Sequence, residues 1–250
     1  MTASPATRSH APCHSFSGRR QTIPRPARMT TDPEDGTLLT DWRGRYTGQA
    51  LALASPASTA EVAALVRLCA AHGVPIVPQG GNSGMAGGAT PDAGGTAIVL
   101  SLRRMNTIRS VSAEAGDAVC EAGVILQSLH EAADAKGMRF PLTLGGKGSA
   151  TIGGLIATNA GGTQVLRHGT MRAQVLGIEA VLADGGVLDL LTPLKKDNRG
   201  FDLKQLLIGS EGTLGIVTAA SLRLLPAGRG RVTAWVGLDT IIAARDLLRR

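Results

Sequence analysis

Aromatic side chains are almost missing from this chain: only 2% of its 250 residues are Phe, Trp or Tyr. Stacking on aromatic rings is therefore excluded as the main way of holding a ligand or a nucleic-acid base. Mean hydropathy is +0.10 and no run of about 18 apolar residues occurs, so no membrane-spanning helix is expected. Cysteine is scarce: Cys13, Cys69 and Cys120 are an odd set. That suits a reducing compartment without disulfides, with Cys69 and Cys120 as buried small hydrophobes and Cys13 as a tail thiol. His10, Cys13 and His14 lie close together, but no second ligand pair follows, so no metal site is expected in this chain.

The first 31 residues contain no acid but hold Arg8, Arg19, Arg20, Arg25 and Arg28. Setting those five aside leaves 21 basic against 19 acidic residues, so the net charge of +7 comes mostly from the tail. The remainder is nearly neutral and carries no basic stripe with aromatics between, which argues against nucleic-acid binding. Residues 1–40 read as a disordered extension of a cytoplasmic protein. The same Ser-, Pro- and Arg-rich composition resembles a transit peptide, which would make the protein mitochondrial.

Glycine is what the chain has in excess, 33 residues, and it is clustered. The body is expected from Asp41. Ser58 and Glu61 make a capping box for a helix over 58–72, with Gly73 as its stop. VPIVP and TAIVLS (96–101) read as strands, and TIRSVS (107–112) pairs with AVCEAG (118–123). A helix is expected over 124–136, with Ile125, Leu126 and Leu129 inward and His130 on the surface. Two strands joined at Asp184–Gly186, a short helix over 202–209, a strand within 210–226 and another at VTAWVGL (232–238) complete the reading. Hairpins mixed with strand–helix units point to an α+β fold.

Three Gly-rich stretches could carry chemistry. PQGGNSGMAGG (78–88) follows a strand, and such backbone can turn several N–H groups onto one anion. GGKGSATIGGLIATNAGG (145–162) offers little side-chain volume, so a flat ligand could lie on it, or a Gly/Ala helix could simply pack closely there. IGSEGTLGIVT (208–218) again lets backbone approach a ligand and supplies Glu211, or is an ordinary loop. Neither a Rossmann nor a P-loop spacing is met; the P-loop would need Gly where Pro141 stands. Three such stretches suggest one long ligand touched by all, with an anionic middle and a flat end.

Together with LRHGTMR (166–172) and residues 182–218, these stretches resemble the FAD-binding domain of the vanillyl-alcohol oxidase (PCMH-type) superfamily. Within it they look like the branch of D-2-hydroxyglutarate dehydrogenases, D-lactate dehydrogenases and glycolate oxidase FAD subunits. The resemblance implies an FAD-binding domain over 41–226, in two subdomains of about 41–113 and 114–226 with FAD between them. Residues 227–250 would begin a truncated substrate domain. It implies that Gln79, Gly80, Gly81, Asn82, Ser83, Gly84 and Met85 wrap the pyrophosphate. Gly148, Ser149, Ile152, Gly153 and Gly154 would line the cofactor channel, with Thr158, Asn159, Gly161 and Gly162 near the flavin. Glu211, Gly212, Ile216 and Val217 would close the other wall.

The first loop holds no His or Cys, so the FAD is expected to be noncovalent. The family's catalytic residues and any divalent metal would lie in the further domain, so none is assigned here; Arg167 and His168 read as structural. The implied function is oxidation of a D-2-hydroxy acid with an external electron acceptor, with a homodimer left open. An alditol oxidase, an enolpyruvyl reductase or a noncatalytic FAD-binding fragment are the alternative readings.

Overall fold

In the computed structural model, residues 28–30, 38–194, 196–228, 230 and 232–249 are described. Two sheets organise the chain. The first has the order β1-β2-β4-β3, from Arg28–Thr30, Ala52–Ser55, Ile98–Ser101 and Ile76–Gln79. Its β2, β4 and β3 run parallel, and β1 pairs antiparallel with β2. The crossover from β2 to β3 is α1, Thr59–His72.

That helix forms as its sequence dictates. The Ser58 hydroxyl accepts the Glu61 N–H at 3.2 Å. The Glu61 carboxylate reaches back to the Ala57 N–H at 2.9 Å, one residue beyond the usual partner. Gly73 closes the helix in the left-handed region, where a side chain would be strained.

The second sheet is fully antiparallel, in the order β5-β6-β10-β8-β9. Its strands are Ile108–Ser112, Asp117–Glu121, Gly215–Arg223, Val175–Leu182 and Val187–Leu190. Because β5 pairs here, the two sheets divide between Ser101 and Ile108, earlier than the boundary expected near residue 113. Against one face pack α2 (Leu126–Asp134) and α3 (Ile152–Ala157), burying Leu126, Leu129, Ile152, Ile156, Ile178 and Leu222 in the largest core. The other face meets α1, where Val62, Leu65 and Val66 join Val181 and Ile216. A short ribbon of β7 (Met138–Arg139) and β11 (Leu225–Pro226), the helices α4 (Val165–His168) and α5 (Lys204–Leu207), and α6 (Ile241–Leu248) complete the described elements.

Four expectations are corrected. Arg28–Thr30 form a strand and Leu38 is buried, so ordered structure begins before Asp41; pairing with β2 decides this, which tail composition does not encode. Ile125 is the exposed residue before α2, not an inward one, because its backbone is still extended. His130 is half-buried, its Nε2 at 2.8 Å from the Leu142 carbonyl, and so ties α2 to the following segment. VTAWVGL is irregular and exposed: no described strand lies beside it, and β-propensity alone does not make a strand. Cys69 and Cys120 are buried free thiols as expected, and burial pushes the Cys120 thiol up to about 12. Cys13, His10 and His14 lie outside the described residues.

One polar group ties α1 to the antiparallel sheet. Glu179 of β8 accepts hydrogen bonds from Thr59 at 2.5 Å and from Thr218 at 2.9 Å. Arg109, 3.5 Å away, also pairs with Glu121. Burial pushes the Glu179 carboxyl up, but the Thr59 and Thr218 hydroxyls and the Arg109 charge outweigh it and hold the group below its ordinary value. A carboxyl lowered by folding stabilises the protein above its unfolded pKa and loses that contribution as pH falls through the folded one. Glu179→Gln is therefore expected to lose about 1 kcal/mol near neutral pH. Urea melts should show the gap to wild type closing below the ordinary glutamate range; an equal gap in acid would contradict this account.

Candidate functional site

The first Gly-rich stretch leaves β3 at Gln79, whose side chain is buried and clasps both flanks. Its Nε2 donates to the Leu38 carbonyl at 2.9 Å and to the Ala89 carbonyl at 2.7 Å. Residues 38–48 form a strap over the outside of this loop. Asn82 Nδ2 donates to the Thr40 carbonyl at 2.7 Å, and Trp42 Nε1 to the Gly84 carbonyl at 3.1 Å. Tyr46 lies so close to Gly87 that a Cβ there would sit 2.7 Å from its ring. The strap is itself shaped by Asp41, whose carboxylate accepts the N–H groups of Tyr46, Arg45 and Arg43. Those bonds, that of Tyr46 foremost, hold the Asp41 carboxyl below its usual range despite some desolvation. Fastened in this way, the loop leaves the N–H groups of Gly81, Ser83 and Gly84 without an acceptor among the described residues. Those donors are what an anion-binding nest requires.

The second stretch crosses directly beneath. A Cβ on Gly81 would lie 1.8 Å from the Ser149 carbonyl oxygen, and one on Gly80 2.2 Å from Thr151 Oγ1. Gly153 is held against Ala122, and Gly162 against the Thr143 carbonyl, at distances that equally exclude a side chain. Past α3 the Thr158 hydroxyl donates to the Gly154 carbonyl at 2.9 Å. Asn159 Oδ1 accepts the Arg172 N–H at 3.0 Å.

The third stretch docks on the end of α3. The Gly209 and Glu211 N–H groups donate to the Ile156 and Ala157 carbonyls at 3.1 and 2.9 Å. A Cβ on Gly212 would meet Pro78 at 2.7 Å. Arg172 fixes this stretch from behind, donating to the Gln205 and Ile208 carbonyls.

All three stretches meet at one crevice. Of the expected residues, Gln79, Gly80, Gly153, Gly154, Glu211, Gly212, Ile216 and Val217 line it. Gly81 and Ser149 form the crossing beside it. Asn82, Ser83, Gly84 and Met85 lie farther out on the first loop, and Gly148, Thr158, Asn159, Gly161 and Gly162 on the second; none of these lines the crevice. Ile152 is fully buried in the core, so its side chain does not face a ligand.

Among the described residues, three non-glycine residues have positive φ: Asn82, Asn159 and Glu211, one in each stretch. Backbone strain of this kind collects where a site over-determines the chain. Two buried polar atoms at the loop crossing, Gln79 Oε1 and Thr151 Oγ1, have no hydrogen-bond partner among the described residues.

The sequence reading missed Pro78 and Leu102 of the lining, the strap residues Trp42 and Tyr46, Arg103, whose Nε donates to the Gly80 carbonyl at 3.4 Å, and Arg172. The one usable signal was rarity: two of the few aromatics, Trp42 and Tyr46, fall within five residues of each other.

The Gly81 contact gives a direct test. Gly81→Ala must push the first two stretches apart and is expected to destabilise the fold by about 2 kcal/mol. Gly84→Ala, where the same construction meets nothing within 4 Å, should cost much less. Urea melts of both variants check the contrast; equal costs would contradict the geometry.

A family model described as "FAD binding domain" matches residues 50–191. D-2-hydroxyglutarate dehydrogenase, mitochondrial, of Bos taurus is 48% identical over 202 residues, 80% of this chain and 37% of the relative. The enzyme of the same name from Arabidopsis thaliana is 42% identical over 212 residues, 85% of this chain and 38% of the relative. A D-2-hydroxyglutarate–pyruvate transhydrogenase of Saccharomyces cerevisiae is 40% identical over 207 residues, 83% of this chain and 41% of the relative. The chain thus spans roughly two-fifths of the length of the curated relatives it matches. A solved alkyldihydroxyacetonephosphate synthase shares the fold at TM-score 0.71 and 24% identity, covering 81% of this chain and 38% of that one. With its two-sheet α+β architecture and the three converging loops, the chain belongs to the PCMH-type FAD-binding domain family.

Proposed function

We propose that this chain binds FAD noncovalently across the three converging loops, as the cofactor-binding part of a dehydrogenase that oxidises a D-2-hydroxy acid to the 2-oxo acid. The observation that carries the reading is the crossing of the first two loops. Gly80 and Gly81 leave bare backbone there, and among the described residues the N–H groups of Gly81, Ser83 and Gly84 meet no acceptor and Gln79 Oε1 and Thr151 Oγ1 no partner. A long dinucleotide with an anionic centre fits that donor set.

Each part has a role in this reading. Gln79 through Met85 form the pyrophosphate cradle, and the strap at Trp42 keeps it in shape. Gly148 and Ser149 continue it, while Gly153 and Gly154 give the crevice a floor without side chains. Thr158, Asn159, Gly161 and Gly162 carry the flavin end, with the Asn159 side chain accepting the Arg172 backbone N–H. Glu211, Gly212, Ile216 and Val217 form the opposite wall, where the burial of Ile216 and Val217 keeps water from that side. When bound, the flavin supplies the acceptor for the two electrons leaving the substrate C–H bond. No residue of this chain is assigned as acid or base.

The substrate class rests on the names of the relatives, D-2-hydroxyglutarate dehydrogenases at 42–48% identity. An external acceptor completes the turnover. The Bos taurus and Arabidopsis thaliana relatives are named mitochondrial, and the acid-free, arginine-rich first 31 residues suit a transit segment, so a mitochondrial location replaces the cytoplasmic one in this proposal.

Titration of the purified chain with FAD is expected to quench flavin fluorescence saturably and to raise the urea midpoint. Acid precipitation should then release all the flavin into the supernatant, since the first loop offers no His or Cys. A folded chain that takes up no FAD would overturn the cofactor reading. The substrate reading is tested separately in the full-length protein: D-2-hydroxyglutarate or D-lactate should bleach the flavin without oxygen, and failure of both would remove it.

A further inference from the structure

Arg139, at the β7 end, places its Nη2 3.4 Å from Nε2 of His168, at the C-terminus of α4. Two more arginines rim the pair: Arg167 precedes His168, and Arg223 ends β10. Gln174 locks this arrangement, its side chain donating to the His168 carbonyl and its own carbonyl accepting the Arg223 N–H. The β7–β11 ribbon sets Arg139 opposite Leu225, two residues beyond Arg223.

Four basic groups from three elements therefore converge; Arg223 also borders a cavity with Asp197 and Asp202, without an ion pair to either. None of the three arginines forms an ion pair with a carboxylate among the described residues. Asp117 is the register partner of Arg223 on β6, yet no ion pair joins them. Arg139 Nε is buried without a hydrogen-bond partner among the described residues. Leaving a charged donor buried and unpaired costs more than an ordinary lost hydrogen bond. Arg139 and His168 are half-buried while Arg167 and Arg223 are exposed, so the group has a floor and an open rim. None of the four lines the crevice described above.

We propose that Arg139 and His168, rimmed by Arg167 and Arg223, form a binding site for a small oxyanion, a carboxylate or phosphate group separate from the dinucleotide. Guanidinium groups match such planar or tetrahedral oxygen arrays in pairs, and a protonated His168 would add a fourth donor. Burial first, then the charges of Arg139, Arg167 and Arg223, hold the His168 imidazole below its ordinary value. A bound oxyanion reverses the sign of that local field, so binding and His168 protonation promote one another.

The test is proton NMR of the His168 ring in the whole chain, its signal assigned by loss in His168→Asn. The pH midpoint is measured at fixed ionic strength in chloride, inorganic phosphate or glutarate. Phosphate, glutarate or both should raise the midpoint by about one pH unit, and chloride should not. The oxyanion effective at the lower concentration identifies the preferred group. The exposed-site double variant Arg167→Ala/Arg223→Ala, with its fold verified by an unchanged urea midpoint, should need roughly tenfold more oxyanion for the same shift. A midpoint indifferent to both oxyanions, an equal response to chloride, or an undiminished shift in the double variant would each overturn the site.

Discussion

Backbone lying directly on backbone is the constraint from which the rest of this structure follows. At Gly81 against Ser149, at Gly80 against Thr151 and at Gly212 against Pro78, no added carbon atom fits. The sequence meets that constraint with glycine, which explains both the excess of glycine and its clustering. The result is a surface whose shape depends on no rotamers. A ligand settling there need freeze few side chains, so little of its binding energy is lost to ordering. The strain at Asn82, Asn159 and Glu211 is the local cost of that rigidity.

A few polar side chains hold the loops and sheets at those distances. Gln79 clasps the strap and the far end of its own loop, Arg172 joins the second and third stretches, and Glu179 ties α1 to the antiparallel sheet. Each replaces many weak surface contacts with a few directional bonds in a low-dielectric setting. Hydrophobic packing brings the two sheets together, but it has no direction. These three groups select one relative placement.

Much of this was legible before any coordinates. The boundaries of α1 were encoded locally by Ser58, Glu61 and Gly73, and the three Gly-rich stretches announced themselves by composition. What escaped was set by partners distant in sequence. The strand at Arg28–Thr30 exists because β2 offers an edge, and VTAWVGL is no strand because nothing described pairs with it. Trp42 gains its place by bonding Gly84, 42 residues away. Arg172 entered only as the last residue of LRHGTMR, and its reach to Gln205 and Ile208 shows it to be a clamp. The family resemblance places Ile152 among the residues lining the cofactor channel. Helical geometry turns its side chain into the core instead.

The position of β10 has a consequence for how the protein is made. This strand sits in the middle of the antiparallel sheet, between β6 and β8, yet it is the last of the five to be synthesised. Until residue 223 leaves the ribosome, β5–β6 and β8–β9 are two separate hairpins, each with an open edge facing the gap. The half-built sheet is thus exposed to pairing with neighbouring nascent chains. Its closure depends on contacts about 100 residues apart in the β6–β10 pair, a slow step by the usual relation of topology to rate. Chaperone occupancy during translation should therefore concentrate in the interval between completion of β6 and emergence of β10.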